Sequence, residues 1–199
     1  MKNGKKGFAL PVSLLLLVVM TIMGLTLVSI TSGDIRANNE KDYSQQTFYA
    51  AESGIAHAKK YLAAQKNLPT NSFRGSSYGT GQYSKLKYCT PDKFPNLSAP
   101  DFRVLMDDSN NFMHKRYNLS DVISASGQEK TRLSKFSFEY FITRTADKDG
   151  NTYEVIKKPG TNKTYYTIHS CGCDSPHSQC RDQNNKIVKL EAIVTLSNE

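Results

Sequence analysis

The clearest hydrophobic pattern lies near the N-terminus, where residues 8–30 carry no charged side chain. As an α-helix this segment would be about 35 Å long at roughly 1.5 Å per residue, which is enough to cross a bilayer. Lys2, Lys5 and Lys6 precede it, and charges of both signs follow it. Because basic residues stay on the cytoplasmic side, the pattern predicts a single-pass protein whose N-terminus lies in the cytoplasm.

The next segment, from Asp34 to about Gln65, predicts an amphipathic continuation of the same helix. It contains no proline, and its apolar residues recur at steps of three and four, which places them on one helix face. These residues are Phe48, Ala51, Ile55, Ala58 and Leu62. We therefore expect one long helix with a transmembrane half, residues 8–30, and an amphipathic half, residues 31–65.

Residues 66–132 are rich in Asn, Ser, Gly, Pro and Lys, a composition typical of variable loops. Tyrosines at 78, 83 and 88 are interspersed there with Arg74, Lys85 and Lys87. Basic and aromatic side chains together can bind nucleic acid through charge and stacking. A solvated loop is the simpler interpretation, so we do not expect nucleic acid as a partner.

The C-terminal region, residues 133–199, predicts an antiparallel sheet. Phe136, Phe138, Tyr140 and Ile142 alternate with polar residues, as in a half-buried strand. The segments TYEVIKK, TYYTIHS and KIVKLEAIVTL predict three further strands, separated by short connections. The sheet needs a cover for its apolar face, and the amphipathic helix is available. The expected fold is α+β, with the long N-terminal helix packed on about four antiparallel strands.

Composition and charge limit the class of protein. The chain has 199 residues and a net charge of +8, which leaves room for one domain and an appendage. This excludes a polytopic membrane protein, a coiled-coil rod and a multidomain enzyme. The sequence contains no Ser-His-Asp order, phosphate-binding glycine loop or HExxH pattern. We therefore predict neither an enzyme nor a cofactor.

The four cysteines predict disulfide bonds if the body of the protein is exported. They are Cys89, Cys171, Cys173 and Cys180. Three of them cluster and Cys89 lies far away, so one bond is expected to join Cys89 to the cluster and one to close within it. A bond between Cys171 and Cys173 would form a strained small ring, so Cys180 is expected to pair with one of those two.

Two metal sites are alternatives that we do not favour. His169 and His177 lie among the clustered cysteines, and such residues can hold zinc, but the spacing is not a common zinc pattern. Asp147 and Asp149 could offer oxygen atoms to calcium. However, Gly150 stands fourth in that segment, whereas the EF-hand loop requires glycine in the sixth position. A hairpin turn is the simpler interpretation there.

The junction between the basic leader and the apolar segment, KKG–FALPV, resembles the class III signal of type IV pilins and type II secretion pseudopilins. In that family a prepilin peptidase cuts after the glycine and methylates the new N-terminal residue. The resemblance therefore implies that residues 1–7 are removed, with cleavage after Gly7 and methylation of Phe8. The segment FYAAESGIAHAKKYL is similar to the AAES-like segment of PilX-type minor pilins, in which alanines allow close approach of another backbone. Together the two similarities cover roughly residues 5–65.

The residue at position 12 departs from the pattern of the major pilins. Most major pilins carry glutamate as the fifth residue of the mature chain, which here is Val12. That glutamate is thought to neutralise the N-terminus of a neighbouring subunit, because a buried unpaired charge is costly. PilX-type minor pilins and K-type minor pseudopilins also lack it, which suits a subunit at the filament tip. Pro11 is tolerated in the first helical turn, where its missing N–H has no intrahelical partner.

The resemblance implies a PilX-like minor type IV pilin that joins other minor pilins in a complex priming pilus assembly. It implies an inner-membrane protein with a periplasmic domain, which later lies at or near the pilus tip. The implied partners are other minor pilins, the major pilin, prepilin peptidase, the inner membrane and a large tip adhesin. The alternatives are a K-type minor pseudopilin of type II secretion, a DNA-binding minor pilin in DNA uptake, and a plain signal-anchored periplasmic domain.

Overall fold

The computed structural model describes residues 9–64, 73–75, 86–95, 97, 103–105, 113–144, 163–181 and 185–197. Its helices are α1 (Ala9–Ala64), α2 (Leu119–Val122) and α3 (Gly127–Leu133) in the described part of the chain. The strands there are β1 (Phe73–Gly75), β2 (Arg103–Leu105), β3 (His114–Asn118), β4 (Ser137–Arg144), β5 (Lys163–Cys173) and β6 (Ile187–Ser197). The chain divides into two compact units, Met1–Tyr43 and Ser44–Glu199.

The sheet is antiparallel throughout, and it confirms the predicted α+β class. Strands β1, β2, β4, β5 and β6 are neighbours in that order, and β3 pairs with β4 as well. The longest pairing joins β5 to β6 over their full length, from Lys163 opposite Ser197 to Cys173 opposite Ile187. Three of the predicted strands correspond to β4, β5 and β6. The fourth, TYEVIKK at residues 152–158, lies outside the described residues.

Three strands of the sheet come from the region that the sequence predicts as a loop. Strand β3 pairs along all of its residues with β4, from His114 opposite Phe141 to Asn118 opposite Ser137. Its sequence, HKRYN, has little apolar alternation. Strand formation here depends on pairing with the apolar strand β4, which is distant in sequence, and not on the local pattern.

Helix α1 packs on one face of the sheet through small residues. A Cβ atom added to Gly172 on β5 would overlap the carbonyl oxygen of Thr47 and the backbone nitrogen of Ala51. A Cβ atom on Gly54 would overlap the hydroxyl of Ser170. That hydroxyl donates a 2.7 Å hydrogen bond to the carbonyl oxygen of Ala51. The helix backbone therefore lies directly against the backbone of β5.

The buried face of α1 is rotated relative to the predicted apolar stripe. Phe48, a predicted stripe residue, is 44% exposed, and Ile55 is only partly buried. The buried positions are Thr47, Ala50, Ala51, Gly54, Ala58 and Leu62. The close approach to β5 explains this difference, because most of these positions admit only small side chains. The hydrophobic pattern alone placed Phe48 on the buried face, but its side chain is too large for the contact between α1 and β5.

The opposite face of the sheet is covered by residues 86–95 and 97, and the described residues of this segment contain no regular structure apart from a short 3-10 turn at Pro91–Lys93. The cluster formed there is largely apolar and includes Leu86, Tyr88, Cys89, Phe94, Val104 and Phe141. Phe94 meets Phe141 edge to face, with ring centroids 5.8 Å apart. Both faces of the central strands β4 and β5 are therefore buried.

Replacing Gly172 by alanine should destabilise the sheet-containing unit by about 1–3 kcal/mol. The added methyl group would meet backbone atoms of α1, which cannot rotate away as a side chain can. The measurement is urea unfolding of the full chain in detergent micelles, followed by near-ultraviolet circular dichroism. The matched control is Gly33→Ala, where an added Cβ meets nothing within 4 Å. A Gly172→Ala protein that unfolds like the native chain would contradict the close approach.

Candidate functional site

The apolar half of α1 is one candidate functional feature of the protein. Its large apolar side chains from Leu10 to Ile30 are 41 to 75% exposed. The helix is long and apolar enough to cross a membrane. Single-pass anchoring by this one segment is consistent with its composition, because a span of about 20 apolar residues matches the hydrocarbon thickness of a bilayer.

Several hydroxyl groups in and just beyond this apolar half form hydrogen bonds with the helix backbone. Ser13, Thr21, Thr26 and Thr31 donate hydrogen bonds to backbone carbonyls three or four residues earlier, at 2.8 to 2.9 Å. A polar group without a partner is costly in an apolar medium. These four hydroxyls therefore do not require water, and the helix can be surrounded by lipid or by other apolar helices.

Of the four residues that the sequence analysis assigns to prepilin cleavage, methylation and tip position, the structure describes Pro11 and Val12. Gly7 and Phe8 precede the described residues. Pro11 occupies the first turn of α1, where its missing N–H removes no intrahelical hydrogen bond. Val12 is 45% exposed. The sequence offers no carboxylate from residue 8 until Asp34, so this part of the helix has no acidic partner for a neighbouring charge.

A separate candidate functional feature is a surface held by two disulfide bonds. Cys89 is bonded to Cys171, and Cys173 is bonded to Cys180. This is one of the pairings that the sequence left open, with one bond to the distant Cys89 and one bond within the cluster. All four cysteine sulfur atoms form disulfide bonds, so none is available as a thiolate ligand for zinc.

The side chain of Glu139 on β4 holds the segment that carries Cys89. Its side chain is fully buried. One carboxylate oxygen accepts backbone N–H groups from Lys87 at 3.1 Å, Tyr88 at 3.0 Å and Cys89 at 2.9 Å. The other oxygen lies 3.2 Å from the nitrogen of Lys87 and 3.7 Å from Nε of Arg116. Hydrogen bonds to a charged acceptor are stronger than neutral ones, and they offset the cost of burying the carboxylate.

Sequence reasoning missed Glu139 because alternation placed it on the presumed solvent side of its strand. The polar positions Ser137, Glu139 and Thr143 share that side with Phe141. A large apolar residue among these polar ones is the signal that this face is also buried. The local pattern does not reveal which segment covers this face, because Tyr88 of that segment is 51 positions away from Glu139.

A chain of hydrogen bonds joins Tyr88 to the disulfide loop. The hydroxyl of Ser137 donates to the carbonyl oxygen of Ser175 at 2.6 Å, and the hydroxyl of Tyr88 lies 3.1 Å from the same Ser137 oxygen. Burial raises the pKa of the Tyr88 hydroxyl. The side-chain oxygen of Asn118 also accepts the backbone N–H of His177 at 3.0 Å. These bonds fix the loop between Cys173 and Cys180 against β3 and β4.

One of the three tyrosines considered for nucleic-acid binding is unavailable for stacking. Tyr88 has no exposed surface, so it cannot stack on a base. The side chain of Lys87 is exposed, while its backbone N–H is held by Glu139. Tyr78, Tyr83 and Lys85 lie outside the described residues, as do Asp147 and Asp149 of the calcium alternative.

His169 is buried in an aromatic environment. Its ring stacks on Phe141 and meets Phe94 edge to face, each with centroids 4.8 Å apart. Its Nε2 lies 2.9 Å from the hydroxyl oxygen of Thr143, and its Nδ1 lies 3.3 Å from a carboxylate oxygen of Glu191. The second contact lacks hydrogen-bonding geometry. Burial lowers the pKa of His169 to about 3, so the ring is neutral at neutral pH.

No protein-family model, curated protein or solved structure matches this chain.

Acid should destabilise this fold partly through His169. In the unfolded chain His169 has its ordinary pKa of 6.5 and is protonated below that pH. In the folded chain it stays neutral until about pH 3. As the pH decreases through that window, the contribution of His169 to the free energy of unfolding therefore decreases by roughly 1.4 kcal/mol per pH unit. Urea unfolding should show that the native chain loses about 2 kcal/mol more than a His169→Gln variant between about pH 7 and about pH 5. Equal losses in both proteins would contradict the neutral buried ring.

Proposed function

We propose that this protein is a PilX-like minor type IV pilin, a structural subunit that joins other minor pilins in a complex priming pilus assembly. The observation that carries the proposal is helix α1, in which an exposed, uncharged half is followed by a half that packs on an antiparallel sheet. The junction at Gly7 and Phe8 and the AAES-like segment at residues 50–53 add the resemblance to pilins.

The apolar half of α1 is the assembly element in this proposal. Its side chains face lipid while the subunit waits in the inner membrane, and the helices of other subunits replace lipid in the filament. Because lipid and protein are similarly apolar, close packing between helices drives such an exchange. The internally bonded hydroxyls of Ser13, Thr21, Thr26 and Thr31 remain satisfied in both surroundings.

The absence of a carboxylate near the start of the mature chain supports a position at or near the tip. If processing makes Phe8 the first residue, its ammonium group lies in an apolar region. Val12 offers no negative charge to the corresponding ammonium of a neighbour. An unpaired buried charge is costly, so repeated stacking of this subunit is disfavoured. A single copy at the tip avoids that cost.

The disulfide-anchored surface is the part of the subunit that we assign to recognition. Two disulfide bonds fit an oxidising compartment such as the periplasm. The partners in this proposal are prepilin peptidase, the inner membrane, other minor pilins, the major pilin and a large tip adhesin.

A K-type minor pseudopilin of type II secretion is the closest alternative. Those proteins usually carry a larger helical insert. In the described part of the region between α1 and β4, the helices are α2 and α3, of four and seven residues, apart from the 3-10 turn. The loop-like composition of residues 66–132 shows no clear helical insert, which favours the pilus over the secretion system.

A pair of glycine variants in the leader tests the proposal in bacteria. Deleting the gene should remove surface pili, and the native gene should restore them. Gly7→Val should fail to restore pili, because a side chain at the cleavage site blocks processing. Gly4→Val, in the same leader, should restore them.

Electron microscopy of surface filaments, with immunoblots for equal protein levels, gives the readout. Full piliation with Gly7→Val would contradict the proposal. Normal piliation together with lost protein secretion in the deletion strain would indicate the pseudopilin instead.

A further inference from the structure

Glu139 and Cys171 are direct neighbours across the β4–β5 pair. Side chains of directly opposite residues in an antiparallel pair lie on the same face of the sheet. Both residues engage Cys89. The Glu139 carboxylate accepts the backbone N–H of Cys89 at 2.9 Å, and the sulfur of Cys171 is bonded to the sulfur of Cys89. One residue of the covering segment is thus held twice, by adjacent groups.

The two attachments have different requirements. The hydrogen bonds from residues 87–89 need only strand β4 with its buried carboxylate, whereas the disulfide bond also needs an oxidant. The hydrogen bonds can therefore form first. While they hold the backbone of Cys89 beside Glu139, the nearest cysteine across the strand pair is Cys171.

Cys173 is the natural competitor for Cys89. It lies two residues beyond Cys171 on β5 and on the same face of the sheet, opposite Ser137. The native bond closes a separation of 82 residues, and pairing with Cys173 would lengthen it by two. The entropy of loop closure depends only weakly on length, so chain entropy alone favours the two pairings about equally. Some local interaction must distinguish them.

We infer that Glu139 is a positioning residue that directs the oxidation of Cys89 to Cys171. The carboxylate binds the backbone of residues 87–89 in the reduced protein and presents the Cys89 sulfur to its cross-strand neighbour. The buried carboxylate thus selects this pairing as well as holding the segment. This role goes beyond the proposed function, since it applies whatever the protein assembles with.

The covalent step is thiol–disulfide exchange with a disulfide oxidant, for example oxidised glutathione. The Cys89 thiolate attacks one glutathione sulfur, forms a mixed disulfide and releases one glutathione thiol. The Cys171 thiolate then attacks the Cys89 sulfur and releases the second glutathione thiol. The two cysteines lose two electrons and two protons, which the two glutathione molecules receive.

Removing Cys180 turns the choice of partner into a measurable ratio. In a Cys180→Ser chain, reduced and folded in detergent micelles, Cys89 can pair with Cys171 or with Cys173. Oxidation by glutathione, acid quenching and non-reducing peptide mapping give the ratio of the two products. A hydrogen bond to a charged group stabilises by about tenfold or more. With Glu139 in place we expect at least about a tenfold excess of the Cys171 product.

Replacing the carboxylate should abolish this preference. Glu139→Leu in the same background should bring the ratio close to the value found for the chain oxidised in guanidinium, which measures unguided pairing. The matched control is Glu191→Leu, a change of the same kind on the neighbouring strand β6 that should keep the native ratio. A folded Glu139→Leu protein that keeps the native ratio would overturn the inference.

Hydrogen exchange gives an independent test that does not depend on folding of the Glu139→Leu protein. A Cys89→Ser and Cys171→Ser chain keeps Glu139 but cannot form the bond. If the carboxylate acts before oxidation, the amide protons of residues 87–89 should exchange at least about tenfold more slowly than in an unstructured peptide. Unprotected amides in this variant would overturn the inference, because the hydrogen bonds would then depend on the disulfide.

Discussion

The close approach of α1 to strand β5 is the contact on which the rest of the sheet-containing unit depends. The helix backbone lies against Gly172, and the hydroxyl of Ser170 bonds to the carbonyl oxygen of Ala51. At this separation only small side chains fit between helix and strand, so alanine and glycine occupy the centre of the contact. The aromatic rings of Phe138 and Tyr140 fill the space on the neighbouring strand β4. Phe48 is directed away from the sheet by the same constraint.

A second constraint follows on the opposite face. A single helix covers one face only, and the segment that covers the other face, residues 86–95 and 97, contains no strand among its described residues. Buried backbone N–H groups need acceptors. Glu139 supplies them for three consecutive residues, and the Cys89–Cys171 bond closes the same junction covalently. Glu139 and the disulfide bond thus both hold the covering segment on this face of the sheet.

Features that depend on local periodicity could be predicted from the sequence. Features that depend on contacts between distant residues could not. The uncharged run 8–30 and the alternation along β4 each repeat over enough residues to define an element, and α1, β4 and the α+β class are confirmed. The pairing of β3, the rotation of the helix face away from Phe48 and the role of Glu139 depend on contacts between residues far apart in the chain. Cysteine spacing limited the disulfide pairings, and the structure selected one of them.

The function that we propose joins these two physical features in one subunit. An uncharged helical segment whose hydroxyls at Ser13, Thr21 and Thr26 bond to its own backbone can move from lipid into a filament with those hydroxyls still paired. A sheet whose central strands β4 and β5 are buried on both faces, and which is closed by two disulfides, can present a fixed surface outside the cell. In this proposal, cleavage after Gly7 would make the first residue of the uncharged run the start of the mature chain.

The intact mass of the protein purified from membranes, without reduction, tests this account most directly. We expect a chain that begins at Phe8, carries one added methyl group and weighs four hydrogen atoms less than its reduced form, as two disulfides require. A full-length, unmethylated chain from cells with an active prepilin peptidase would contradict the account. The apolar half of α1 would then be a membrane anchor without a role in a filament.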